Sequence, residues 1–207
     1  MKTLVESAKA AKAASLEVAQ LGTERKNEAL RAMAKALVEK TPEILAANEK
    51  DMTKGRESGM PESLLDRLML NADRIAGMAE GLDQVAALPD PIGRVMDEWT
   101  RPNGLVIRKV RVPMGVIGII YEARPNVTVD AAALAFKAGS AMLLRGSSSA
   151  YESNAALVRV MRESLEASGV TPDAVCLVRT RATRPSTACS SCGSTSTSSS
   201  PAAARGS

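Results

Sequence analysis

The chain has 207 residues, 45% of them apolar, enough for one large domain or two small ones with a sizeable core. Its formal net charge of +4 points towards nucleic acid only until it is divided. Arg181, Arg184 and Arg205 lie beyond residue 180, where there is no Asp or Glu, so the first 180 residues carry 24 basic against 23 acidic groups. With Trp99, Tyr121, Phe136 and Tyr151 as the whole aromatic complement, there is no stacking surface for single strands, and nucleic acid is not an expected partner. No apolar run reaches about 18 residues, and the Ala-rich start mixes Lys with Glu, unlike a signal peptide, so a cytoplasmic protein with no membrane contact is expected. Three cysteines cannot make a disulfide framework for a chain this size, and the absence of His removes the commonest metal ligand and general base. Chemistry must run on Cys, Ser, Lys, carboxylates or a cofactor, and no metal site is expected.

From Thr3 to Leu88 the periodicity is helical. Leu30, Met33, Ala34, Leu37 and Val38 form one stripe of a helix beginning near Thr23. Thr41 is the expected N-cap of the next helix, with Pro42 at its first position. A further helix from Asn71 carries Ile75, Met78, Ala79, Leu82, Val85 and Ala86 on one face and ends before the prolines of "LPDP". These residues, 1–90, are expected to be a helical packing layer. Residues 91–112 read as a β-rich hairpin or arm, "RVMDEWT" and "GLVIRKVRV" split by "RPNG", with Arg108, Lys109 and Arg111 protecting an edge.

From Gly115 the rhythm is strand, helix, strand, helix, strand. "GVIGII" reads as a strand buried on both faces. A helix follows with Val129, Ala132, Ala133 and Phe136 as its core stripe and Gly139 at its C-terminal cap. "AMLLR" is the next strand, then a helix facing the core with Leu157, Val160, Met161 and Leu165, then "AVCLV". The expected fold class is α/β: a helical layer followed, over residues 113–180, by an incomplete parallel-sheet, Rossmann-like dinucleotide-binding unit.

Ligands of such sheets bind beyond the carboxyl ends of the strands, which singles out the turns "YEARPN" and "RGSSSA". In the second, Arg145 ends a strand, Gly146 permits a tight turn, and Ser147, Ser148 and Ser149 open a helix. That is either a phosphate site built on a helix N-terminus with an arginine beside it, or a well-capped helix. In the first, Arg124 can clamp a carboxylate or phosphate and Asn126 can donate to an oxyanion. The plainer alternative is a surface pair of Glu122 with Arg124. No Walker-type loop and no G-x-G-x-x-G follows any strand.

The run "LPDPIGRVMDEWTRPNGLVIRKVRVPMGVIGIIYEARPNVTVDAAALAFKAGSAMLLRGSSSAYESN", with "LLDRLMLNADRIAGMAEGLDQVAALPDP" upstream, resembles the gamma-glutamyl phosphate reductase (glutamate-5-semialdehyde dehydrogenase) family, of the aldehyde dehydrogenase superfamily. The resemblance covers residues 1 to about 180, and "YEARPNVTVDAAALAFKAGSA" is its most specific part. It implies the aldehyde-dehydrogenase fold and reduction of L-glutamyl 5-phosphate by NADPH to phosphate and glutamate 5-semialdehyde, a step of proline biosynthesis. It also implies a homo-oligomer with an oligomerisation arm, and a functional link to glutamate 5-kinase. The chemistry implied is attack of a Cys thiolate on the acyl phosphate, then hydride transfer to the thioester. Carried over residue by residue, Arg145, Gly146, Ser147 and Ser148 become the cofactor-binding candidates, with Arg145 facing the 2′-phosphate of NADPH. Asn126 becomes the oxyanion candidate, and Arg124 and Glu122 the substrate-binding candidates.

The resemblance is expected to end at Thr180. Residues 181–207 hold nine Ser, four Thr and five Ala and none of the large apolar residues, a composition expected to be disordered and to come from a frameshifted reading. On that expectation the catalytic domain and its nucleophilic Cys are absent, and the chain is an inactive or a merely NADPH- or phosphate-binding fragment. Cys176 reads as a core thiol, and Cys189 with Cys192 as a C-x-x-C pair lacking further ligands.

Overall fold

The computed structural model describes residues 3–178. Five helices come first: α1 (Leu4–Val18), α2 (Thr23–Glu39), α3 (Thr41–Glu57), α4 (Glu62–Leu68) and α5 (Ala72–Ala87). A hairpin follows, β1 (Val95–Thr100) and β2 (Val106–Val110). The remainder alternates as β3 (Val116–Ile120), α6 (Pro125–Lys137), β4 (Ala141–Arg145), α7 (Tyr151–Ala167) and β5 (Val175–Leu177), with single 3-10 turns at Ser148–Ala150 and Pro172–Ala174.

Local chemistry accounts for the helix ends. A capping box starts α1: Thr3 Oγ1 accepts from Glu6 N at 3.2 Å, and the Glu6 carboxylate accepts from Thr3 N at 2.6 Å. Asn71 Oδ1 accepts from Arg74 N at 2.7 Å and starts α5. α3 begins one residue earlier than its sequence implies. Lys40 is the cap, Thr41 and Pro42 are already helical, and the Thr41 hydroxyl donates back to Leu37 O at 3.2 Å. With α2 running to Glu39 there is a single-residue joint, leaving no extended position for a Thr cap. At the end of α6, Gly139 adopts φ +68°, its N–H reaching Phe136 O while Ser140 N–H reaches Ala135 O, both at 2.9 Å. This is a Schellman closure in which glycine carries the left-handed position.

The sheet is parallel with order β3-β4-β5. α6 and α7 cover one face, and α2, α3 and α5 pack outside them. Leu30, Met33, Leu37, Ile75 and Leu82 therefore share one core with Val129, Phe136, Leu144, Leu157 and Met161. The opposite face is covered by α1, whose small Ala11 lies on Ala141 and Cys176. The first ninety residues are thus not a single layer, since their first helix crosses to the far side of the sheet.

Two burial expectations are corrected. Val38 is 52% exposed, because at 100° per residue it stands about 80° around α2 from Leu30, at the margin of the stripe. β3 is not buried on both faces: it is the edge of the described sheet, and Ile120 is 64% exposed. β4 takes the central place, with Ala141, Met142 and Leu144 buried. The hairpin stands away from the core, almost entirely exposed, with Trp99 opposite Ile107 and an ion pair between Glu98 and Arg108 across the strands.

Candidate functional site

Because β3 and β4 are parallel neighbours, their carboxyl ends reach the same edge. Ile120 pairs with Arg145, and Tyr121 N–H donates to Arg145 O at 3.1 Å. The two turns picked out in the sequence are therefore side by side. Beneath them the Thr128 hydroxyl donates to Asn154 Oδ1 at 2.9 Å, which leaves the Tyr121 hydroxyl to donate to Thr128 Oγ1 at 2.6 Å. Burial pushes the Tyr121 phenol above its ordinary pKa against the opposing hydrogen bond of Thr128, so it stays a neutral donor. Asn154, 1% exposed, has no partner for its Nδ2 among the described residues. Gly146 passes directly over that group: a Cβ there would collide with Asn154 Nδ2 and stand 3.1 Å from the Tyr121 ring. The turn is thus laid flat on a polar network shared by α6 and α7, and only glycine fits its second position.

Of the two alternatives for the start of α7, the structure shows the capped helix, but with the cap supplied from α3 and not by the local serines. Asp51 of α3, 1% exposed, accepts from Ser153 N and Ser153 Oγ, each at 2.7 Å, and from Glu152 N at 3.3 Å. The backbone donors that would have met a phosphate are satisfied by this carboxylate. Burial raises the pKa of Asp51, against the hydrogen bonds from Ser153 and Glu152. The half-buried Arg145 stands at this turn with Ser147, Ser148 and Ser149, where Ser147 Oγ accepts from Ser149 N at 3.3 Å. With the first donors of α7 taken by Asp51, the turn does not offer the pyrophosphate cradle of a helix N-terminus.

On the other side of Ala123, which packs against Met52, Leu68 and Ala150, lies an open cleft of about 420 Å³. Its polar wall is Asp66, Arg67 and Arg74 from α4 and α5 with Arg124, Asn126 and Asp130 from the start of α6. Arg124 caps α6 and Pro125 is its first residue, where the missing N–H costs nothing. Arg74 is fully engaged, donating to Met69 O at 2.8 Å, to Asp66 O, and to Asp66 Oδ1 at 2.9 Å. Burial raises the pKa of Asp130. The structure thus brings Arg124 and Asn126 together, and leaves Glu122 outside the cleft with no ion pair to Arg124. Arg67, Asp130 and Asp51 were not picked out in the sequence. The adjacent charges of "LLDRL", between Pro61 and Asn71, were the available signal for the first.

Asn48 joins the two sides: its Nδ2 donates to Leu68 O at 2.9 Å and to Ser153 Oγ at 3.0 Å, and its Oδ1 accepts from Leu70 N at 2.9 Å. Cys176 is buried against Ala11 and Ala141, donates to Asp173 O at 3.4 Å, and does not line the cleft. Cys189, Cys192 and the tail 181–207 lie outside the described residues. Among the described residues no helix is long and apolar enough to cross a membrane, and no group of three or more His, Cys, Asp or Glu can hold a metal ion.

Residues 2–190 match the aldehyde dehydrogenase family, ten residues past the Thr180 boundary expected for the resemblance. The chain is 58% identical over 170 residues to the gamma-glutamyl phosphate reductase of Moorella thermoacetica, covering 82% of this chain and 41% of that protein. To the enzyme of the same name from Anoxybacillus flavithermus it is 53% identical over 178 residues, 86% of this chain and 43% of that one. The crystal structure of gamma-glutamyl phosphate reductase from Thermotoga maritima superposes with a TM-score of 0.83 at 45% identity, over 86% of this chain and 43% of that one. The chain therefore spans less than half the length of these relatives. By sequence and by fold, it belongs to the aldehyde dehydrogenase family.

Proposed function

We propose that this chain carries the cofactor- and substrate-positioning part of a reductase that converts L-glutamyl 5-phosphate and NADPH to L-glutamate 5-semialdehyde, phosphate and NADP⁺. The observation that carries the reading is the pairing, at one sheet edge, of the Arg145–Ser148 turn with the Arg124 cleft, in a chain more than half identical to gamma-glutamyl phosphate reductases. When bound, the nicotinamide supplies the hydride. Arg145 pairs with the 2′-phosphate, and Ser147 and Ser148 hold the ribose over Gly146. Arg124 grips an anionic group of the substrate, and the Asn126 amide donates to the oxygen that gains charge during acyl transfer.

Acyl transfer to an enzyme thiolate forms a C–S bond and releases phosphate; hydride then displaces the thiolate and yields the aldehyde. Residues 3–178 offer no thiol for this, since their one cysteine, Cys176, is buried away from the cleft. The reading expects saturable NADPH binding by the 207-residue chain and no turnover at Cys176. In keeping with it, the protein is cytoplasmic and homo-oligomeric, with the exposed apolar hairpin around Trp99 and Val106 as the arm. Titration of nicotinamide fluorescence tests the proposal. NADPH should bind tighter than NADH, and Arg145→Ala should remove the preference. Equal affinities, or none, would refute the cofactor assignment, and reduction of glutamyl phosphate by the isolated chain would refute the division of labour.

A further inference from the structure

We infer that Asn154 is a positioning residue for the turn after β4: its buried Nδ2 is held beneath Gly146 as the donor for the Gly146 carbonyl, which turns inward onto it when a nucleotide binds. The inference rests on the proposed function for the identity of the ligand, and concerns how the turn adjusts to it.

Asn154 sits in the first turn of α7, 1% exposed, and the two ends of its amide differ. Its Oδ1 accepts from Thr128 Oγ1 at 2.9 Å, and Thr128 is held in turn by the Tyr121 hydroxyl at 2.6 Å. The amide plane is thereby set, and Nδ2 is sealed from solvent without a partner among the described residues. A buried amide donor without an acceptor is rare, because it has lost its hydrogen bonds to water and gained none in return. No ligand reaches this one directly, since Gly146 covers it: a Cβ on Gly146 would collide with Nδ2. Its acceptor must come from the turn itself.

Of the turn's first three carbonyls, Arg145 O accepts from Tyr121 N at 3.1 Å and Ser147 O from Ala150 N at 3.2 Å. Gly146 O, between them, takes no hydrogen bond from the described residues. A trans peptide points its C=O and N–H in opposite directions, so a Gly146 carbonyl swung inward carries the Ser147 N–H outward. The rotation is open to this chain. Gly146 has no Cβ to restrict its ψ, and Ser147, at φ −62° and ψ 148°, stays in the extended region as its φ moves towards about −160°. The outward N–H then serves an oxygen of the bound nucleotide. It is a main-chain donor that the start of α7 cannot supply, because Asp51 occupies Glu152 N and Ser153 N. One hydrogen bond forms below the turn and one above it, both only in the bound state.

The test is titration calorimetry with NADP⁺, which shares its adenosine half with NADPH and survives acid, on the 207-residue chain and two variants. Asn154→Leu nearly keeps the volume and removes the donor, so it should weaken NADP⁺ about tenfold with the melting temperature unchanged or raised. Asn154→Asp keeps an oxygen for Thr128 and has a donor in the place of Nδ2 only while its carboxyl is protonated. It should match the unchanged chain at about pH 5 and bind about tenfold or more weaker at about pH 8. A side chain that only packs would move affinity and melting temperature together and show no such pH profile. The Asn154→Asp profile decides even where Asn154→Leu lowers the melting temperature. Unaltered NADP⁺ affinity in both variants, or a loss for Asn154→Asp that is equal at the two pH values, would overturn the inference and leave the cofactor reading in place. No NADP⁺ binding by the unchanged chain would overturn both.

Discussion

Asp51 and Asp90 are both withdrawn from solvent, yet their pKa values move in opposite directions. At Asp90 burial is overcome by the ion pair with Lys26, itself 2% exposed, and by hydrogen bonds from Ile92 N and Thr23, so the carboxyl is held below its ordinary value. At Asp51 burial wins, and the carboxyl is held above it. The linked stabilities have opposite signs. The contribution of Asp90 is present above the ordinary value of 3.8 and is lost as pH falls through the lower folded value. The cost of charging Asp51 is present at neutral pH and is relieved as pH falls through its raised value towards 3.8. Asp90→Asn should cost about 3 kcal/mol at pH 7, by leaving Lys26 charged and unpaired, and less in acid, as denaturant melts at the two pH values would read. Asp51→Ala should cost roughly 1–3 kcal/mol by uncapping α7, whereas Ser147→Ala, the cap read from local sequence, should change stability by under about 0.5 kcal/mol. The serines after Arg145 do look like a cap, but the acceptor that does the capping comes from α3, 101 positions away in the chain. No local pattern encodes such a pairing.

At the scale of elements, periodicity carried the helices and the alternation of the parallel unit, because a 3.6-residue stripe or a short apolar run follows directly from which face is wet. It did not carry neighbours. "GVIGII" has the composition of a central strand, but whether a strand is central depends on what pairs with it, and here β4 takes that place. The same distinction separates Leu37 from Val38. Leu37 is fully buried and Val38 half exposed, so Leu37→Ala should cost about 2–5 kcal/mol, and Val38→Lys should stay within about 0.5 kcal/mol. Comparable losses for the two in thermal melts would contradict the stripe. The site was legible in the same measure. Turns leaving parallel strands announced themselves, so the sequence alone put Arg124, Asn126 and Arg145 at the carboxyl edge of the sheet. Arg67 and Asp130 sit on helices whose convergence is a tertiary fact.

Across the whole molecule, one core links the N-terminal helices to the parallel unit, and two polar residues of α3, Asn48 and Asp51, tie the end of α4 to the start of α7. The Arg124 cleft and the Arg145 turn are therefore mounted on a common frame, either side of Ala123. The central claim is that ligands meet this protein at the carboxyl edge of β3 and β4. Hydrogen–deuterium exchange of the 207-residue chain with and without saturating NADPH tests it most directly. Slowed exchange should appear in residues 121–124 and 146–149. Protection confined to the opposite edge, residues 111–115 and 138–141, would contradict the account.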